Sequence, residues 1–171
     1  MRRLLVPLGA ALLLAGCHFP QGWHWPRTFE AMAPSASTQQ TVVYWAKGEA
    51  FRYQDPVIAW AAAVYDAHPE LAIKLVDTCP AGRNCVVWDT GNNGGGLTSV
   101  SIGSNRHLVA ARVVLDDQVT DDATGRKIAY HEACHALGGG FTDEAGHRMC
   151  NYENRAHNNA DISAVYHDDP G

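Results

Sequence analysis

Ile128-Ala129-Tyr130-His131-Glu132-Ala133-Cys134-His135-Ala136-Leu137, followed by Gly138-Gly139-Gly140, is the stretch from which the rest of the chain is best read. Asp121 to Thr124 supply acidic and hydroxyl groups, which suit a helix N-terminus because they meet its open N–H groups and positive dipole end. A helix is therefore predicted from Asp121–Thr124 through Ile128 and His135 to about Leu137, and three glycines stop it. On such a helix His131 and His135 stand one turn apart on one face, with Glu132 turned to the side.

Outward from this helix the chain reads as strands. Thr41–Trp45 is β-branched and aromatic. Asp55-Pro56 then starts a helix with Val57, Ile58, Trp60, Ala61, Val64 and Tyr65 at helical spacing, ending by His68-Pro69. Leu71–Val76, Cys85–Asp89, Leu97–Ile102 and Leu108–Leu115 are four further short strands between turn residues. Asn92 to Gly96 lacks the Gly-Lys-Ser/Thr ending of a phosphate loop and reads as a hairpin or surface loop. A closing helix is expected over Asn158–Tyr166, with Ile162, Val165 and Tyr166 on one side. The predicted class is α+β, with a mixed sheet of about five strands.

At 171 residues the chain holds one domain, assigned to residues 41–171. Residues 1–17 have the layout of a secretory signal: Arg2 and Arg3, an apolar run from Leu4 to Leu14, then small residues before Cys17. The run is too short to span a bilayer. Leu14-Ala15-Gly16-Cys17 resembles the lipobox of bacterial lipoproteins, which implies acylation of Cys17 and an extracytoplasmic, membrane-anchored protein, at the cell surface or in the periplasm. Residues 18–40, with Pro20, Pro26 and Pro34 and no sustained period, read as a flexible tether, and the Trp23-His24-Trp25 cluster in it as resting on the domain or the membrane interface.

Without Arg2 and Arg3 the 13 basic residues become 11 against 18 acidic ones, a balance of −7 that argues against nucleic acid and adds no attraction to anionic lipid. Removing Cys17 from the five cysteines leaves an even four, which permit three disulfide pairings in an oxidising compartment. Cys79 and Cys85 bracket a short turn and are natural partners, leaving Cys134 for Cys150. Asp116-Asp117 and Asp121-Asp122 invite calcium, but solvated turn residues are the simpler reading.

The chemistry lies in His131-Glu132-Ala133-Cys134-His135. Both imidazoles can address one ion, and zinc suits them because it takes nitrogen ligands, has no redox chemistry and lowers the pKa of bound water to about 7. Glu132 can reach that water without being a ligand, take its proton as a carbonyl is attacked, and pass it to the leaving amine.

His131 to Gly138 resembles the H-E-x-x-H-x-x-G segment of the metzincin clan of zinc peptidases, in particular snapalysin and the matrixins. Met149 stands where that clan's matrixin-like forms carry a methionine turn beneath the metal. The resemblance implies a zincin fold over residues 41–167, one catalytic zinc, a polypeptide substrate and peptide-bond hydrolysis. One position departs from it: Phe141 stands where the clan's third ligand is expected. Asp143, nearest the expected turn, is read as its replacement, with His147 just before the methionine turn as the alternative. Tyr152 follows the methionine turn one residue later than the tyrosine that donates to the oxyanion in some metzincins, so packing is its simpler role. A site with no third ligand implies the alternative, a catalytically degenerate zincin-fold lipoprotein that binds a surface partner.

Overall fold

The computed structural model describes residues 25–26, 41–49, 55–68, 70–103, 107–118, 122–139, 150, 162 and 166. Seven elements follow in order: β1 (Thr41–Lys47), α1 (Asp55–Tyr65), β2 (Leu71–Val76), β3 (Cys85–Gly91), β4 (Gly96–Ile102), β5 (Leu108–Asp116) and α2 (Asp122–Ala136). All five predicted strands are present, and the class is α+β with a mixed sheet in the order β2-β1-β3-β5-β4. β1 pairs in parallel with β2 and β3, and β3 with β5, whereas β4 runs antiparallel to β5 at the edge. Parallel β1 and β2 require a crossover, which α1 provides.

Alternation along the strands selects the buried face. Val43 and Trp45, Val86 and Trp88, and Ala111, Val113 and Leu115 share one core with α1 residues Val57, Ile58, Ala61 and Tyr65 and α2 residues Ala129, Tyr130 and Ala133. Trp45 and Trp88 touch across neighbouring strands with ring centroids 4.9 Å apart. Between the helices the Tyr65 and Tyr130 rings stack at 5.1 Å, and the Tyr65 hydroxyl donates to the Tyr130 carbonyl at 3.0 Å. The site helix is thereby fixed against both α1 and the sheet.

Of the two readings of residues 92–96, a hairpin or a surface loop, the second holds, because β5 lies between β3 and β4 and the loop crosses the end of β5. Asp116, buried at that end, anchors the crossing: backbone N–H groups of Gln118, Gly94, Gly95 and Asn93 hold its carboxyl below the usual range, against the opposing effect of burial. These donors occupy the carboxylate as a turn anchor, so Asp116 is a buried residue at the turn and not the solvated one expected.

A further expectation changes: the tether does not hold at Trp25 and Pro26, and of the two resting places read for the tryptophan cluster the domain holds for Trp25. Trp25 is fully buried in the core, its indole N–H donates to the Ala136 carbonyl at 2.8 Å, and Asn84 donates to the Pro26 carbonyl at 2.9 Å. A large apolar ring with one polar edge finds burial and an acceptor together there. Ile162 and Tyr166, from the expected closing helix, are helical and buried. Residues 1–17, with Cys17, lie outside the described residues.

Candidate metal centre

α2 carries His131, Glu132 and His135 in its last two turns. The His135 Nδ1 lies 2.9 Å from the Gly139 carbonyl oxygen, and the His131 Nδ1 contacts the Cys150 carbonyl oxygen. A carbonyl only accepts, so each Nδ1 carries the ring proton and each neutral ring turns its Nε2 lone pair outward. The two Nε2 atoms approach to 3.2 Å, with the ring planes at 87°. Two nitrogens bound at about 2.0–2.1 Å to one tetrahedral ion stand about 3.3 Å apart. The pair therefore fits zinc, whose positive charge would relieve the opposition of the two lone pairs.

Burial, and secondarily the neighbouring His131, push the His135 pKa down to about 4 against the raising effect of the Gly139 carbonyl. The ring is neutral at pH 7, as metal ligation requires. Glu132 is buried, and desolvation raises its carboxyl pKa, partly offset by a hydrogen bond from the Thr98 hydroxyl. A carboxylate raised in this way is better matched to proton transfer near neutrality.

Both orienting carbonyls depend on the chain's exit from α2. Gly138 adopts φ 103°, a conformation open to glycine, and its N–H donates to the His135 carbonyl at 3.0 Å. The next N–H, from Gly139, donates to the Cys134 carbonyl at 2.9 Å. A Cβ on Gly139 would lie 2.5 Å from both Cys134 Sγ and Cys150 Sγ, so only glycine brings this carbonyl to His135. Cys134–Cys150 is a disulfide, and so is Cys79–Cys85, matching the expected pairing. Cys150 holds φ 54°, a left-handed backbone costing a non-glycine residue about 1–2 kcal/mol. The disulfide thus contacts the residue that orients His135 and covalently fixes the residue that orients His131.

The carbonyls at the end of α2 and just past it are satisfied by residues far away in the chain. Trp25 serves Ala136, and the Tyr166 hydroxyl donates to Leu137 at 2.7 Å. These contacts, together with Thr98, were not legible as site features. Trp25 is separated from Ala136 by 111 residues and Tyr166 from Leu137 by 29, so no local period reveals them. The only sequence signal for Thr98 was a hydroxyl on a predicted strand.

Among the described residues no group of three His, Cys, Asp or Glu side chains gathers around one point. The candidate third ligands Asp143 and His147 lie outside the described residues, as do Phe141, Met149 and Tyr152. In comparisons with known proteins, neither a family model nor a curated protein matches the chain. The case for a metal therefore rests on the residues and their geometry.

Proposed function

We propose that this chain is a zinc-dependent endopeptidase of zincin, metzincin-like fold. His131, His135 and Asp143, with His147 as the alternative third ligand, hold one ion, and Glu132 is the general base. The observation that carries the reading is the 3.2 Å convergence of the two Nε2 atoms, each ring fixed by a carbonyl at Nδ1, beside a buried carboxylate. A structural role alone does not call for two histidine lone pairs aimed at one point, since buried polar groups are normally placed against complementary ones.

Zinc bound there would polarise the scissile carbonyl and make water acidic enough to attack it near neutral pH. His131 and His135 supply neutral nitrogen donors in fixed orientation. Glu132 accepts the proton released as the water oxygen bonds to the carbonyl carbon, then delivers it to the amine nitrogen as the C–N bond breaks. Export and acylation at Cys17 complete the reading. The two disulfides suit an oxidising compartment, and the lipid would be the membrane attachment.

The test is zinc stoichiometry on residues 18–171 and on Asp143→Ala, His147→Ala and Glu132→Ala, with casein hydrolysis in parallel. One zinc per chain, lost in one ligand variant, with hydrolysis abolished in Glu132→Ala and by chelation, is expected. Phe141 at the expected ligand position favours the second reading, a zincin-fold lipoprotein that binds a partner without catalysis. A parent that holds no zinc would establish that reading instead.

A further inference from the structure

Glu132 lies against the edge strand β4, and two residues of that strand, on one face by the two-residue period, shape its place. At Gly96 a side chain is missing: a Cβ built there would stand 2.6 Å from both Glu132 Cγ and Oε1 and 2.7 Å from Ile128 Cγ2. At Thr98 a hydroxyl lies 2.7 Å from Glu132 Oε2 and 3.0 Å from the Glu132 main-chain carbonyl oxygen. The notch receives the stem of the side chain and one carboxylate oxygen, and the single hydroxyl proton, with the main-chain carbonyl as a second acceptor, is directed chiefly to the nearer carboxylate oxygen.

We propose that Thr98, with the notch at Gly96, is a positioning residue that fixes the carboxylate of Glu132 for proton transfer; this rests on the peptidase reading. A glutamate carboxylate swings on three side-chain torsions. Close packing of its stem at Gly96 and the hydrogen bond to one carboxylate oxygen restrict that swing, because the hydroxyl of a β-branched side chain on a paired strand is itself restricted. General-base transfer needs a heavy-atom reach of about 2.6–3.2 Å, and misplacement by about 1 Å costs on the order of a hundredfold in rate. Thr98 acts through Glu132 and lies outside the ligand set, so its removal should affect the chemical step and leave the metal in place.

Thr98→Val keeps the branched shape and strand preference but removes the hydroxyl. Expected is a fall in kcat of roughly 10- to 100-fold, with KM and zinc content unchanged, and recovery of most of that loss in Thr98→Ser. Gly96→Ala, which fills the notch while keeping an ordinary backbone, should lower kcat by the same route and serves if the valine variant does not fold. A Thr98→Val enzyme with the kcat of an active parent overturns this inference and leaves the peptidase reading intact. So does a loss that appears in zinc content or KM, or one that serine does not restore, since each marks a structural role. A parent that binds zinc but cleaves no peptide overturns the peptidase reading itself, and the role of Thr98 with it.

Discussion

Replacing Cys134 and Cys150 together by alanine should weaken the proposed zinc binding as well as the fold, and the two effects can be separated. The cysteines are 16 residues apart, so losing the cross-link restores unfolded-state entropy equivalent to about 3 kcal/mol on the loop-closure relation. For a domain of this size that is a fall in melting temperature of roughly 10–15 °C. Cys79–Cys85, separated by 6, gives about 2 kcal/mol by the same relation, so stability alone distinguishes the pairs poorly. Metal affinity should distinguish them. Cys150 presents the carbonyl that orients His131, and both sulfurs sit against Gly139, whose carbonyl orients His135. Loss of such outer contacts typically costs 10- to 100-fold in metal affinity. Calorimetry in excess chelator would read the fold by itself, and competition with a chromophoric chelator would read zinc affinity, for both double variants. Affinity should drop in Cys134→Ala/Cys150→Ala and hold in Cys79→Ala/Cys85→Ala. Equal affinities in the two variants would refute the idea that the disulfide orients the histidines.

Other perturbations test the surroundings of the site. Because burial raises the Glu132 pKa, the metal-free parent should lose stability as pH rises through that pKa, while Glu132→Gln should not. Urea midpoints should therefore favour Glu132→Gln more at pH 8 than at pH 4, and a pH-independent gap would contradict the burial argument. His135 has the opposite sign: a pKa lowered from 6.5 to about 4 means stability present above pH 6.5 and lost as pH falls through 4. Acid titration of the metal-free chain should show that loss, and His135→Asn should lack it. Trp25→Ala removes a fully buried ring and the indole N–H that serves Ala136, and should cost about 3–5 kcal/mol. A chain beginning at Thr41 should correspondingly melt without cooperativity, while one beginning at His18 should not; equal melting of the two would show that Trp25 is dispensable.

Local chemistry carried much of what the sequence determined. Five strands and two helices follow from runs of β-branched residues and from helical spacing, because backbone preference and one-sided burial both act over a few residues. The pairing of four cysteines was equally legible, since the short Cys79–Cys85 turn leaves one partner for Cys134. So was the placing of His131 and His135 on one helical face, a consequence of helix periodicity alone.

Tertiary structure decided the rest, because those contacts join residues far apart in the chain or use groups with no sequence signature. Strand order put β5 between β3 and β4, which decided between the hairpin and the loop that residues 92–96 allowed and made the segment a crossing anchored by Asp116. Packing drew Trp25 out of a segment that reads as a tether, since a buried acceptor 111 residues away outweighs local composition. The carbonyls of Gly139 and Cys150 that set the two imidazoles are main-chain atoms, which every residue carries, so only the path of the chain selects them. Spacing in the sequence put two histidines on one face; the folded chain turned their nitrogens to a common point and set Glu132 against Thr98.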